Sequence, residues 1–565
     1  MTGISVAATF AVAVAGPSVM EPALPGQPGQ PPWSLGLHPS PYLAIGLTAA
    51  ALAAGAPGLV LALRAVRRGW SVPAWLVLAG GLLAAAALTL VPPFGSADHL
   101  SYAAYGRMLV TGHNPYTTTP AQLAALGDPV ARAVQDWRGA PSVYGPLATA
   151  IQALASLAGG TSARLTVFVL GLANLAAFAA VALLLHRMTR HDPARQLRAA
   201  LLWAANPLLL QVLVAGAHVD GQAVVFGVAA VAVMYPVVLP ATRPGMPGAV
   251  PPGQASRWPA RSLARAAAAG VLVGLGFAVK VTIALTGLGL ALALGYGCWR
   301  RRGRWRKQAW RELWPPLAAL GAGFAVTAGA ALAIGGSAML RQTSQASDMV
   351  SIGSPWRAIR SVIHLAVTGT AATDIVKAGA VVLAVLLAVL LWRGLAGTGR
   401  GDGPDASAAS GRNADPGECA DTGRYAGPGR YADPGRYATI AFALALAWLF
   451  AWPYVLPWYD ALAWALLPLA VGGAVEALGW LLLVRTLALG FGYLPARQAD
   501  APLPSGLGWL QPVFRHGVAP AVLAVATVWL IALMVRSRRT GQSGPSGARG
   551  TEGTADPKAS ATKAA

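Results

Sequence analysis

The sequence contains few charged residues, very few acidic ones and only two cysteines. Charged residues make up 11% of the 565 residues, and 20 acidic against 42 basic residues leave a formal net charge of +22. Hydrophobic residues account for 55%, and the mean hydropathy is +0.54. This composition cannot cover the surface of an ordinary soluble protein. We therefore expect a multi-pass membrane protein.

Several kinds of site are also missing from the sequence. Cys298 and Cys419 lie far apart, and neither stands in a CxxC or Cys/His spacing, so neither a disulfide framework nor a metal site is indicated. A Gly-rich phosphate loop and a dinucleotide fingerprint are absent, so a nucleotide-sugar donor has no obvious cradle and no cofactor is expected. The basic residues cluster between apolar runs and not in a nucleic-acid motif. The expected partner is the lipid bilayer, and no binding of nucleic acid is expected.

Apolar runs of about 17 to 25 residues predict an all-α transmembrane bundle of about 12–13 membrane helices. Dense arginine clusters follow several of these runs, and the positive-inside tendency puts those clusters in the cytoplasm. The first long outer loop is predicted at 92–146. A re-entrant or interfacial helix is predicted where this loop ends, at 144–157. The apolar stretch 266–296 is too long for one level crossing and is predicted to turn near Lys280.

The predicted organisation follows from these runs and from the composition between them. In chain order we expect a weak N-terminal helix with a Pro-rich loop (1–40), a transmembrane core (41–393) with outer loop 92–146 and cytoplasmic linker 240–262, a low-complexity cytoplasmic loop (394–437), C-terminal transmembrane helices (438–539) and a disordered cytoplasmic tail (540–565).

Asp98 follows the apolar run 75–91 after a short Pro/Gly turn, and an acid at a membrane boundary is by default a functional-site hypothesis. The predicted topology places His218, Asp220 and Lys280 on its side. A carboxylate without a second acid at general-acid spacing suits a reaction that needs a base but no protonated leaving group, such as the expulsion of a phosphate. Cations and donors for such a phosphate are available in Arg107, His113, His218, Lys280, Arg341 and Arg357.

Several motifs carry a resemblance to a known family. They are SADHLSYAAYGR at 96–107, GHNPY at 112–116, Tyr144-Gly145-Pro146, Asn206-Pro207, His218-Val219-Asp220 and VKVT at 279–282. In this order they resemble the polyprenol-phosphomannose-dependent α-1,6-mannosyltransferases of actinobacterial cell envelopes, which belong to the GT-C superfamily of integral membrane glycosyltransferases. The resemblance covers roughly residues 70 to 300, with weaker support from the Pro-Trp-Tyr turn at 457–459.

The resemblance implies a multi-pass GT-C enzyme of the cell membrane with its active site on the extracytoplasmic face. It implies transfer of mannose, with inversion, from a polyprenyl-phosphate donor to a glycan or glycolipid acceptor, without a nucleotide or a metal. Asp98 would be the catalytic base. The candidate residues for binding substrate and lipid phosphate are His99, Tyr102, Arg107, His113, Tyr116, Tyr144, His218, Asp220 and Lys280. The family often shows His-Asn-Asp where this chain has His218-Val219-Asp220, which leaves the transferred sugar open.

Structural roles remain open for the same residues. Asp98 could cap the helix that follows it, Lys280 could reach towards the membrane interface, and His218 with Asp220 could satisfy a polar turn. The tyrosines could belong to an interfacial belt or to the core of the loop. Two other functions also remain: a GT-C enzyme for another sugar, or a lipid or solute transporter in which the same charges lie between inverted repeats.

Overall fold

A computed structural model describes residues 1–237, 258–299, 304–367, 369–397, 435–496 and 503–542. Within these ranges the chain forms helices, and the only β-type pairing is one isolated bridge between Ser18 and Glu21. Helices satisfy every backbone polar group inside a lipid phase, which explains why the long apolar runs adopt them. The predicted all-α class is confirmed. Most of the predicted linker, low-complexity loop and C-terminal tail lies outside the described residues.

Twenty α-helices are described, some joined by short 3₁₀ or π turns. The first ten are α1 Thr2–Ala15, α2 Pro41–Arg67, α3 Ala74–Thr89, α4 Asp98–Val110, α5 Pro120–Ala125, α6 Pro129–Arg132, α7 Pro146–Gly159, α8 Ala163–Met188, α9 Pro193–Leu202 and α10 Pro207–Leu209. The others are α11 Asp220–Met234, α12 Ala260–Phe277, α13 Ala284–Trp299, α14 Arg304–Ser347, α15 Pro355–Ile363, α16 Thr370–Gly397, α17 Gly435–Ala451, α18 Ala461–Leu466, α19 Val475–Gly492 and α20 Ala519–Gln542.

Among the described residues, eight helical stretches are long and apolar enough to cross a membrane, which makes this a multi-pass membrane protein. They are Pro41–Arg67, Ala163–Met188, Pro193–Ala215, Ala260–Phe277, Arg311–Ser347, Thr370–Leu395, Val475–Gly492 and Ser505–Arg536. Several other predicted spans are shorter apolar helices. The 16 residues of α3, for example, reach about 24 Å, less than a hydrocarbon layer of roughly 30 Å.

The bundle has two chemically different ends. At one of them, called here the arginine-rich end, α2 finishes and α9 and α19 begin. There Arg67 forms an ion pair with Glu476, and Arg195 donates hydrogen bonds to the carbonyl oxygens of Pro468 (2.9 Å) and Leu469 (2.6 Å). The opposite end, where α3 finishes and α4 begins, is called here the site end.

The apolar stretch 266–296 is broken at the site end, as the sequence predicts. Helix α12 ends at Phe277, Lys280 has an extended backbone, and α13 begins at Ala284. Gly145 packs directly against this break: its N–H donates to the carbonyl oxygen of Val279, and a Cβ atom at position 145 would collide with the carbonyl oxygen of Ala278. Only glycine permits this approach, which brings Tyr144 and the start of α7 next to Lys280.

Candidate active site

Asp98 lies at the first turn of α4, immediately after a loop that is anchored to two other segments. The N–H of Phe94 donates to Ala215 and that of Gly95 donates to Met20. The Asp98 carboxylate accepts a hydrogen bond from Trp137 Nε1 (3.3 Å), and its side chain is 15% exposed. The N-cap of α4 is Ala97, and no side-chain capping bond is found at this described helix start. The Asp98 carboxylate is therefore available for another role.

His218 is the nearest ionisable neighbour of Asp98. Its Nδ1 atom lies 3.6 Å from Asp98 Oδ2, and its Nε2 atom lies 3.4 Å from Ser96 Oγ. The ring stacks on Trp458, with a centroid separation of 3.5 Å and an interplanar angle of 12°. Burial lowers the pKa of His218 well below its usual value, and the charges of Lys280 and His99 lower it further. At neutral pH His218 is therefore an uncharged polar neighbour of the carboxylate.

Asp220 and Lys280 form an ion pair beside this group. Lys280 Nζ lies 2.6 Å from Asp220 Oδ1 and 3.7 Å from the centroid of the Tyr459 ring. Both partners are largely buried. A lysine held by one carboxylate and one aromatic face keeps its ammonium group fixed in place and retains N–H capacity for a further acceptor.

The protonation of Asp98 is set by its surroundings. Burial raises the pKa of the Asp98 carboxyl to about 7, and the charge of Asp136 raises it further, while the Trp137 hydrogen bond and the charge of Lys280 act in the opposite direction. The carboxylate is therefore close to half ionised at neutral pH. A general base is most effective when its pKa lies near the working pH.

Aromatic rings surround the charged residues. The hydroxyl groups of Tyr102 and Tyr144 lie 3.3 Å apart, and their rings meet edge to face at 5.2 Å. On the other side Trp458 contacts Tyr493, with ring centroids 5.3 Å apart. A narrow cavity of about 30 Å³ adjoins His218, Trp458 and Tyr493. The apolar faces of such rings are suited to pack against a sugar.

The structure brings only part of the predicted residue set together. Asp98, Tyr102, Tyr144, His218, Asp220 and Lys280 form one cluster, and the fully buried His99 lies close enough to act on the charge of His218. Arg107, His113 and Tyr116 have other partners. Two of these lie within the outer loop: Arg107 Nε contacts Asp128 (2.7 Å) and His113 Nδ1 contacts Thr111 Oγ1 (3.1 Å), whereas the Tyr116 hydroxyl contacts Thr149 Oγ1 of α7 (3.2 Å).

Sequence reasoning missed three residues next to the cluster. Asp136 and Trp137 act on Asp98, and Tyr493 contacts Trp458. From the sequence, Asp98 has no second acid at general-acid spacing and shares its side of the membrane with Asp220; in the structure both Asp136 and Asp220 are close enough to raise the pKa of Asp98. The sequence signal for two of them was the adjacent pair Asp136-Trp137 in the outer loop, an acid beside an indole. Among the described residues, no group of three or more His, Cys, Asp or Glu could hold a metal ion.

Comparison with known proteins identifies the chain at the level of the family. A family model described as the N-terminal domain of alpha-(1->6)-mannopyranosyltransferase matches residues 2–296, more than half of the 565 residues. The chain belongs to the alpha-(1->6)-mannopyranosyltransferase family. This confirms the resemblance carried by the sequence motifs. The matched segment of this mannosyltransferase contains Asp98, His218, Asp220 and Lys280, whereas Trp458 and Tyr459 lie beyond it.

Among solved structures, this family member is similar to the archaeal oligosaccharyltransferase AglB from Archaeoglobus fulgidus in complex with an inhibitory peptide and a dolichol-phosphate, with 15% identity and a TM-score of 0.32. The match covers 82% of this chain and 56% of AglB, so the chain spans little more than half of that protein's length. No curated protein matches the sequence.

Proposed function

We propose that this protein transfers mannose from a polyprenyl-phosphate donor to a glycan or glycolipid acceptor on the outer face of the membrane, forming an α-1,6 linkage with inversion. The observation that carries the proposal is the position of Asp98. A carboxylate with a pKa of about 7 lies beside His218, the Asp220–Lys280 pair and several aromatic rings, in a chain of a mannosyltransferase family.

Asp98 acts as the general base in this mechanism. The acceptor hydroxyl oxygen attacks the anomeric carbon of mannose, and its proton passes to the Asp98 carboxylate. The bond between the anomeric carbon and the phosphate oxygen breaks, and the electron pair leaves with the polyprenyl phosphate. Positive charge develops on the sugar ring in this oxocarbenium-like transition state. The aromatic rings around the cluster pack against the sugar and hold it in place.

Lys280 is the proposed contact for the leaving phosphate. Its ammonium group is fixed by Asp220 and by the Tyr459 ring, so it meets the developing negative charge without a change of conformation. Fixed donors of this kind stabilise a transition state more effectively than mobile ones. Arg107, by contrast, is engaged with Asp128 and is not assigned to the phosphate.

The outer-face location is supported by the distribution of charge. Arginines such as Arg64, Arg67 and Arg198 lie on the helices that meet at the arginine-rich end, which the positive-inside tendency assigns to the cytoplasm. Asp98 lies at the opposite end of the bundle. A lipid-linked donor in the outer leaflet would therefore reach it.

Sealed membrane vesicles test the donor and the face together. Right-side-out vesicles that receive a short-chain prenyl-phosphate mannose and an impermeant α-mannoside from outside should form an α-1,6-linked product, and GDP-mannose should give none. Vesicles from cells that lack the protein serve as the control. Product formed from GDP-mannose, or formed equally well by sealed inverted vesicles, would contradict the proposal.

A further inference from the structure

A second cleft opens at the arginine-rich end, away from Asp98. It holds about 1020 Å³ of space, part of which is open to the surroundings, and lies between α2, α9 and α19. Each of these helices contributes residues at intervals of about four, which places them on one helical face. The residues that define its polarity are Leu59 and Arg67 of α2, Arg198 and Leu202 of α9, and Glu476 and Leu483 of α19.

The lining of the cleft changes from charged to apolar along the bundle axis. Helix α2 runs towards the arginine-rich end, whereas α9 and α19 start there, so Arg67, Arg198 and Glu476 all lie at its mouth. The leucines on the same faces lie four to eight residues further in, or about 6 to 12 Å at a rise of 1.5 Å per residue. This gradient matches an amphiphile with a charged headgroup and an apolar chain.

The charges at the mouth are not balanced. Glu476 is engaged by Arg67 and accepts a hydrogen bond from Trp480 Nε1 (3.2 Å). Arg195 donates hydrogen bonds to two backbone carbonyl groups. Arg198 lines the cleft but makes no hydrogen bond or ion pair with any residue in the part of the chain that is described. An unpaired guanidinium group beside apolar walls favours an anionic ligand, because arginine binds phosphate with several parallel hydrogen bonds.

We propose that this cleft binds an anionic glycerophospholipid of the membrane, with its phosphate on Arg198 and one acyl chain along the leucines. A soluble anion could pair with Arg198 but would leave the apolar walls uncovered. A zwitterionic phospholipid could cover the walls but would bring its own cation to the mouth, next to Arg67 and Arg198. The proposal does not depend on the sugar that the protein transfers.

Native mass spectrometry of the purified full-length protein tests the site. The protein is equilibrated with equal amounts of phosphatidylglycerol and phosphatidylcholine that carry the same acyl chains. Both lipids carry a phosphate for Arg198, but only phosphatidylcholine also brings a cation next to Arg67 and Arg198, so we expect roughly tenfold or greater retention of phosphatidylglycerol. Arg198→Gln should remove this preference. Arg190→Gln, which changes an exposed arginine at the same end, should keep it.

A second variant separates the cleft from general membrane electrostatics. A leucine at position 479 would extend towards Leu467 and fill the cleft without a change in charge. Gly479→Leu should therefore lose phosphatidylglycerol as Arg198→Gln does. Equal retention of the two lipids by the wild type would overturn the proposal. Undiminished phosphatidylglycerol binding by either cleft variant would also overturn it.

Discussion

Asp98→Asn is expected to lower mannosyl transfer about 10²- to 10⁴-fold, the usual contribution of a positioned general base. The substitution preserves the size of the side chain and its capacity to accept the Trp137 hydrogen bond, but it removes the site that takes the proton. Because burial already disfavours the ionised carboxylate, a neutral amide should not destabilise the fold. Initial rates in purified protein, together with the melting temperature, measure the two effects separately.

Asp136→Asn is the matched control for this prediction. The charge of Asp136 helps to raise the pKa of Asp98, so its removal should lower that pKa. The base must be ionised to act, so wild-type activity should rise with pH through about 7. Asp136→Asn should remain active and shift this rise to lower pH. Wild-type rates in Asp98→Asn, or a loss in Asp136→Asn as large as that in Asp98→Asn, would remove Asp98 from the role of base.

Arg485→Met is expected to have the largest effect on stability. Arg485 and Asp460 form an ion pair whose side chains are 1% and 0% exposed. Thr486 Oγ1 donates to Asp460 Oδ2 (2.6 Å) and accepts from Trp464 Nε1 (3.0 Å). Removal of one member of a buried pair leaves an uncompensated charge and costs about 3–5 kcal/mol, a large part of a typical folding free energy. Thermal unfolding in detergent should show a clearly lower melting temperature for Arg485→Met than for the wild type.

The double variant Asp460→Asn/Arg485→Met distinguishes an uncompensated charge from lost packing. It leaves no buried charge and keeps an acceptor for Thr486, so it should recover most of the stability that the single variant loses. Arg393→Met, at an exposed arginine of the spanning helix α16, is the control and should unfold like the wild type. A double variant as unstable as the single one would show that the ion pair does not explain the loss.

This ion pair also supports the site. Asp460 follows Trp458 and Tyr459 directly, the two rings that contact His218 and Lys280. Arg485 lies on α19, so the pair fixes the turn that carries both rings to a spanning helix. A membrane-buried arginine is retained only where it has a partner or a function. The position of the pair next to the aromatic rings explains why a buried arginine is present here.

Much of the fold could be predicted from the sequence because its signals are local. Long apolar runs gave the spanning helices, and a lysine in the middle of one run gave the break at Lys280. Gly145 belongs to the local motif Tyr144-Gly145-Pro146. The requirement for glycine at this position, however, comes from a distant segment, because the break near Lys280 packs against it.

The contacts that tune the site could not be predicted in this way. Trp137 and Asp98 are 39 residues apart, and Asp460 lies in the turn before α18 whereas Arg485 lies on α19. Periodicity says which face of a helix a residue occupies, but not which partner another segment presents to that face. Arg107 was predicted to contact the substrate because the sequence offers no obvious partner for its charge. Its partner is Asp128, which is 21 residues away and has no periodic relation to Arg107.

A comparison of donors with the purified protein shows which sugar is transferred and whether the transfer requires Asp98. Polyprenyl-phosphate mannose, glucose and arabinose are each supplied as the only donor, together with an α-mannoside acceptor. We expect an α-1,6-linked mannose product, transfer of the other two sugars that is at least about tenfold slower, and mannose transfer by Asp98→Asn that is slower by about 10²- to 10⁴-fold. Preferential transfer of glucose or arabinose, or mannose transfer by Asp98→Asn at the wild-type rate, would contradict the proposed mechanism.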